Sequence, residues 1–352
     1  MKKIKIGNKF VGENCPFYTI AEIGSNFDKS IKKAYKLIDL AKEAGADAVK
    51  FQTFSAENLV SKTGFENYKI GYQSKWKKSV FEVYKDAEFP LHWHKKIFNY
   101  CLKKKIDFFS APYDKVSVDL LDKIGVPAFK IGSGDITWLE NIEYIAKKNK
   151  PIILATGASQ LSEVSDAVKT IKKTGNNKLI LLQCVTNYPA TYDNINLKVL
   201  NLYKKKFNCL VGYSDHTSGS SVAVGTVALG GCMIEKHFTD NKNLSGPDHS
   251  FAMDSKDFKK MVMDIRHMEK ILGNEKKKIY NEEKDQYVSM KRSIRAKYQL
   301  KKGSIIKRKD VEVLRPCEPY ALKASFLNKI IGKKLTNNIK KGLSIKKKDI
   351  DI

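Results

Sequence analysis

GCMIEKHFTD, residues 231–240, is the stretch on which the reading of the fold turns. Residues 233–239 have the composition of a buried strand, yet Glu235, Lys236 and His237 set three ionisable groups in a row inside it. Ionised side chains are buried only with partners, because desolvation costs more than β-propensity returns. Side chains alternate across a strand, so Glu235 and His237 share one face and Lys236 points the other way. Moving outward, residues 17–24, 48–54, 106–113, 128–134, 151–157, 178–185 and 209–216 are similar short apolar runs, which with 233–239 makes eight. Lysine-rich helical patterns lie between them, such as residues 30–46 with Ala34, Leu37, Ile38 and Ala41 on one face, and residues 159–175 ending in glycine. Apolar strands alternating with helices imply a parallel sheet covered by helices. Eight units in roughly 270 residues predict an α/β fold of the (β/α)8 barrel type, which usually takes about 250. An open doubly wound sheet is the alternative, and the absence of GxGxxG after the first strand counts against it.

In such a barrel chemistry collects at the C-terminal ends of the strands. Glu22 ends the first run, Lys50 and Gln52 lie in the second, and Ser110 ends the third. Lys130 and Ser133 lie in the fourth with Asp135 beyond, and Thr156 ends the fifth. The sixth runs into Thr186, Asn187 and Tyr188, the seventh ends in Ser214, Asp215 and His216, and the eighth holds Glu235 and His237. A single Ser or Thr at a strand end is usually a helix cap, and a lone His is more often a core residue than a ligand. The pattern over eight strands is another matter, since strand-internal Lys50, Lys130 and Glu235 each need a buried partner. Two lysines with hydroxyls and glycine-flanked amides (IGSGD, ATGAS) suit a phosphate and a carboxylate. His216 and His237 on neighbouring strands are placed to share a divalent cation, with oxygen ligands or water completing its shell.

The net charge of +27 suggests nucleic acid at first sight, but five of the 65 basic residues are arginine and the lysines are spread over nearly every predicted helix. That is a solvated surface, with weak polyanion binding as a side effect, rather than a specific nucleic-acid reader. Six scattered cysteines without a CxxC pair fit reduced thiols. No apolar run reaches membrane-spanning length and no signal-type segment opens the chain, so a cytoplasmic, soluble protein is expected.

Residues 1–275 are expected to form the barrel, 276–289 a charged linker and 290–352 a small, mostly β domain. Residues 55–89, with GFENYKIGYQSKWKK, are expected to loop over the barrel mouth. The C-terminal part repeats a pattern of the form KKGxxI, at residues 300–311 and 339–350.

AEIGSN (21–26), AGADAVKFQTF (44–54), KIGSGD (130–135), GYSDHT (212–217), ALGGCMIEKHFT (228–239) and GPDHS (246–250) occur in an order that resembles the N-acetylneuraminate (sialic acid) synthase family. The duplicated C-terminal part resembles that family's antifreeze-like, or SAF, domain. The resemblance implies an enzyme that condenses phosphoenolpyruvate with N-acetylmannosamine or a related N-acyl aldose, giving a nine-carbon 2-keto-3-deoxy sugar acid and phosphate with the help of Mn2+ or Mg2+. By matching position, His216 and His237 would hold the metal. Lys50, Lys130, Ser133 and Ser214 would hold phosphoenolpyruvate. Glu22, Gln52, Tyr188 and Asp248 would face the sugar, with Glu22 also handling protons. Arg315 would be lent across a domain-swapped homodimer to the N-acyl group. The chain departs from the family pattern at Phe27, Ala111 and Ala155 and in PCEPYALK after Arg315, positions that bear on the choice of sugar more than on the reaction.

Acceptors leading to legionaminic- or pseudaminic-type acids are an alternative within the same chemistry. A phosphoenolpyruvate condensation giving an eight- or seven-carbon acid is another, which the C-terminal domain disfavours. A non-catalytic, polyanion-binding barrel is a third, disfavoured by Lys50, Lys130, His216 and His237.

Overall fold

The computed structural model describes residues 2–351 apart from 67, 69–72, 74 and 75. It opens with an antiparallel hairpin, β1 (Lys3–Ile6) and β2 (Lys9–Gly12), that the sequence reading did not pick out. Gly7 turns the hairpin at φ +56°, and a Cβ there would stand 2.3 Å from Asp107 Oδ1, so a larger residue would push the hairpin off the barrel.

Eight parallel strands follow: β3 (Tyr18–Glu22), β4 (Ala48–Thr53), β5 (Asp107–Pro112), β6 (Phe129–Ile131), β7 (Ile152–Ala155), β8 (Leu179–Cys184), β9 (Leu210–Asp215) and β10 (Met233–His237). They pair in the order β5-β4-β3-β10-β9-β8-β7-β6, and β5 lies against β6 across the remaining gap, so the sheet closes into the expected barrel. Each observed strand lies inside its sequence-predicted run. The helices obey ordinary end rules, as with Ser30 accepting from the Lys33 amide and Asp254 from the Asp257 amide.

Alternation along each strand divides the core in two. Val49, Phe51, Phe108, Ile152, Leu154, Val211 and Tyr213 face the helices. Tyr18, Ile20, Ala48, Phe109, Ile153, Ala155, Ile180 and Leu182 fill the barrel, joined from below by Ile6 and Val11 of the hairpin, both fully buried. The lower barrel is therefore a packed plug, mostly apolar, in which the Tyr18 hydroxyl donates to Asp107 Oδ2 at 2.6 Å.

Residues 55–89 hold helices Ala56–Leu59, Lys62–Glu66 and Val80–Ala87 where an irregular loop was expected. The last has a complete capping box between Ser79 and Glu82, and Phe54 and Tyr84 pack at 5.6 Å, enough local order to fold the segment. Residues 67, 69–72, 74 and 75 of that segment lie outside the described residues.

The chain divides into two compact units, Met1–Gly273 and Asn274–Ile352. The second has its own core around Ile294, Ile306, Val311, Leu335, Ile345 and Ile350. Its strands β11 (Ser293–Ala296) and β12 (Val311–Leu314) are antiparallel. The two sequence repeats meet where Leu300 and Ile339 exchange two backbone hydrogen bonds of 2.9 Å. Within residues 276–289 the structure has a short helix, Lys284–Ser289. Among the described residues no helix is long and apolar enough to cross a membrane, and all six cysteines are free.

Candidate active site

Glu22, Lys50 and Glu235 lie on the inward faces of β3, β4 and β10, adjacent because those strands are neighbours. Lys50 Nζ stands 2.8 Å from Glu22 Oε2 and 3.7 Å from Glu235 Oε1. Lys130 Nζ, from β6, approaches the same Glu235 oxygen at 3.7 Å and donates to the Ile131 carbonyl at 3.2 Å. Ser214 Oγ donates to Glu235 Oε1 at 3.2 Å, while Glu235 Oε2 has no hydrogen-bond partner among the described residues. Burial pulls on Lys50 most strongly, but the Glu22 and Glu235 carboxylates outweigh it and hold its pKa above the usual lysine value. For Lys130 burial wins and the pKa is lowered. Burial opposes ionisation of Glu235, yet the two ammonium groups bring its pKa below the ordinary range. Two cations and two carboxylates thus balance in a water-poor space, and an arriving anion would have to reorganise them.

Above them Gln52 Nε2 donates to Glu22 Oε1 at 2.8 Å. His216 Nδ1 lies 2.8 Å from the Val185 carbonyl, which can only accept, so Nδ1 carries the proton and Nε2 keeps its lone pair. Burial first, then the neighbouring His237, pushes His216 down to about 3. The His216 and His237 rings are 5.5 Å apart, and buried His237 Nδ1 has no hydrogen-bond partner among the described residues. A neutral imidazole with its tautomer fixed by a carbonyl, beside a second ring with an unsatisfied nitrogen, is a donor set suited to a borderline divalent cation. Among the described residues no three His, Cys, Asp or Glu side chains converge as ligands, so water or substrate oxygens would complete the shell.

Tyr188 covers the pair, 4.1 Å from the His216 ring and edge-on to His237 at 5.9 Å. A cavity of about 150 Å³ sits there, walled by Gln52, Tyr113, Tyr188, His237, Asp248 and Phe251 among others. Asp248 Oδ2 accepts from Ser25 N at 3.2 Å and Ser25 Oγ at 2.9 Å. That approach needs Gly24, at φ +53°, where a Cβ would be 2.7 Å from the carboxylate. Ser133 Oγ accepts from the Gly157 amide at 2.9 Å, joining the turns after β6 and β7. Asp135, in the turn after β6, is raised to about 6 by burial, with Lys130 pulling the other way.

Two expectations are overturned. Ser110 and Thr156 do not face the mouth. Ser110 Oγ is 2.6 Å from Thr53 Oγ1, which lies 2.7 Å from Nε2 of His94 in the outer helix His94–Lys104. Thr156 Oγ1 donates to the Leu182 carbonyl and lies 3.0 Å from Tyr203 Oη in helix Val199–Phe207. Both residues are one position out of phase with the inward face. Lys236 behaves as its parity predicts: it points outward, donates to Asp215 Oδ2 at 2.6 Å and to the Thr217 carbonyl at 2.6 Å, and so braces the turn carrying His216. Phe27 packs in an aromatic cluster with Phe89 at 5.2 Å and Trp93 at 6.1 Å, away from the mouth. Arg315 is exposed on the second unit. The sequence reading missed Ser25, Tyr113 and Phe251. Ser25 and Phe251 lie in or beside motifs already singled out, and Tyr113 closes the third strand run, residues 106–113.

Comparison with known proteins bears on this geometry. The model of the NeuB family matches residues 37–277, and that of the SAF domain residues 291–351. The N,N'-diacetyllegionaminic acid synthase of Campylobacter jejuni is 39% identical over 326 residues, 91% of this chain and 96% of that one. The pseudaminic acid synthase of the same species is 34% identical, covering 94% of this chain and 96% of the other. The crystal structure of an N-acetylneuraminic acid (sialic acid) synthetase from Leptospira borgpetersenii superposes with a TM-score of 0.72 at 31% identity, covering 81% of this chain and 95% of that one.

Proposed function

The chain belongs to the NeuB family of sugar-acid synthases, and from that premise we propose that it condenses phosphoenolpyruvate with an open-chain N-acyl aldose to give a nine-carbon 2-keto-3-deoxy acid and phosphate. The observation that carries this reading is the pair of buried lysines, Lys50 and Lys130, gathered on Glu235, whose strand also carries His237. It supports reading the two lysines as an anion cradle and the His216–His237 pair, with rings 5.5 Å apart, as the place for an aldehyde oxygen.

Lys50 and Lys130 would take the phosphate and carboxylate of phosphoenolpyruvate, with Ser133 and Ser214 as hydroxyl partners. Held there, its methylene carbon attacks the aldehyde carbon, forming the new C–C bond while positive charge develops at C2. Water adds its oxygen to C2 and gives up a proton, and the aldehyde oxygen takes one up. The C2 adduct then loses its hydroxyl proton as the carbonyl forms and the bond to phosphate breaks. Glu22, paired with Lys50 and Gln52, would hold or pass a proton near the aldehyde. His216 and His237 would hold Mn2+ or Mg2+, which when bound supplies Lewis-acid polarisation of the aldehyde.

For the acceptor, the higher identity to a diacetyllegionaminic acid synthase than to the sialic acid synthetase, together with the aromatic walls of Tyr113, Tyr188 and Phe251, favours a diacetamido-trideoxy hexose over N-acetylmannosamine. We also propose a homodimer in which Arg315 of one chain completes the other's site.

The test is phosphate release with phosphoenolpyruvate, Mn2+ and a panel of N-acyl aldoses, with mass spectrometry of the product and a chelator control. Chelator-sensitive release with one sugar and a product heavier by a pyruvyl unit is expected. Phosphoenolpyruvate binding without turnover on any sugar would refute the acceptor class, and no binding at all would refute the reaction.

A further inference from the structure

The segment after β10 forms a closed loop whose ends are stapled to the strand. The Thr239 amide donates to the Met253 carbonyl at 2.9 Å, and the Met253 amide to the His237 carbonyl at 2.8 Å. Residues 240–252 bulge between these bonds and carry Asp248 and Phe251, both walls of the mouth cavity. Between those two sits His249, which is fully buried and turned into the protein. Its Nδ1 lies 2.7 Å from Thr239 Oγ1 and its Nε2 3.0 Å from Asp28 Oδ1.

Asp28 belongs to the turn after β3, where Asp28 and Lys29 both adopt left-handed backbone at φ +46° and +55°. Non-glycine residues hold that conformation only when their surroundings impose it. Lys33 pairs with the same Asp28 carboxylate and also with Asp240 at 3.2 Å, so the loop is tied to the turn at two points. The same turn carries Ser25, whose amide and hydroxyl hold Asp248. Gly246 leaves room for the arrangement, since a Cβ there would be 2.7 Å from His249 Cδ2.

We propose that His249 is a positioning residue. Bridging Thr239 and Asp28, it clamps the 240–252 loop to the turn after β3 and so fixes Asp248 and Phe251 over the mouth. Because those two side chains wall the mouth cavity, whereas Lys50 and Lys130 are buried against Glu235 and do not line it, the clamp governs acceptor binding and leaves phosphoenolpyruvate binding alone. This second consequence rests on the reaction proposed above.

The test uses His249→Ala and the milder, half-exposed Asp28→Ala in the full chain, with Asp28→Asn as the conservative variant that keeps a hydrogen-bond acceptor. Hydrogen exchange is expected to speed up on the order of tenfold for amides of residues 240–252 in both alanine variants, with β8 unchanged. Asp28→Asn should restore most of the protection. Unchanged exchange in the loop, or a uniform loss across the barrel, would overturn the clamp. In turnover assays the KM for the acceptor should rise about tenfold or more while that for phosphoenolpyruvate stays within about twofold, because small misplacements of binding groups are costly. Equal changes in both constants would show a merely structural role. Should the unaltered protein turn over no acceptor, the reaction proposed above fails, while the exchange measurement still decides the clamp.

Discussion

Lys50 and Lys130 are nearly fully buried and share Glu235 as counter-charge, but their environments push their pKa values in opposite directions. Lys50 has the Glu22 carboxylate at 2.8 Å and stays firmly charged, whereas Lys130 has, among the described residues, no carboxylate closer than Glu235 at 3.7 Å. An incoming phosphate or carboxylate therefore relieves Lys130 more than Lys50. Lys130→Met is expected to weaken phosphoenolpyruvate binding ten- to hundredfold by calorimetry, the loss of a charge-assisted contact worth about 1.5–3 kcal/mol. Lys50→Met should weaken binding and also lower the melting temperature, since it strands Glu22 without its cation. Equal loss of binding with no difference in melting temperature would contradict this division. At this scale the sequence was informative wherever strand parity could be read. Glu235, Lys236 and His237 in one unbroken run reveal their faces by alternation alone. Ser110 and Thr156 sit at strand ends, where a shift of one residue turns a mouth residue into an outer one, and no neighbouring charge in the sequence fixes the phase.

Among elements, β4, β5 and helix His94–Lys104 are joined by a hydrogen-bond chain on the barrel's outer side. The Leu91 carbonyl can only accept from His94 Nδ1 at 3.1 Å, so the Nε2 lone pair faces Thr53 Oγ1, which in turn faces Ser110. Burial lowers the His94 pKa to about 4, with its backbone hydrogen bonds pulling the other way. A base whose folded pKa lies below its unfolded one stabilises the protein above about pH 6.5, and that contribution fades as pH falls toward 4. His94→Gln is therefore expected to flatten the acid limb of stability between those values, by on the order of 2–3 kcal/mol at 1.36 kcal/mol per pKa unit. Chemical denaturation across that range measures it, and an unchanged slope would assign the acid limb to other groups. The eight barrel strands were legible because each is a short apolar run bounded by turns. The hairpin β1–β2 was not, because its strands are only four residues each and its burial comes from capping the barrel bottom, a tertiary effect. The helices of residues 55–89 were masked in the same way by lysine and glycine.

For the whole molecule, each of the two compact units has its own core, and the charge of +27 is carried largely by exposed lysine. Surface charge of one sign steers small anions toward a cleft without choosing among them, so the association rate for phosphoenolpyruvate should fall as salt is raised while the chemical step does not. The proposed sharing of sites is testable by mixing inactive parents. When Arg315→Ala and Lys130→Met chains are co-expressed, random pairing gives hybrids with one intact site, and activity should return to about a quarter of the normal level in a symmetric dimer. Absence of any recovery would mean that each chain completes its own site.

The hairpin that plugs the barrel floor bears on the order of events. With Ile6 and Val11 sealed into the lower core, the barrel is closed at its floor, and the buried lysines are reached from the end that carries the cavity walled by Gln52, Tyr188 and His237. Whatever occupies the bottom must enter first. Turnover should therefore be sequential, with phosphoenolpyruvate loading before the sugar, and inorganic phosphate, drawn to the same lysines, should compete with the next phosphoenolpyruvate.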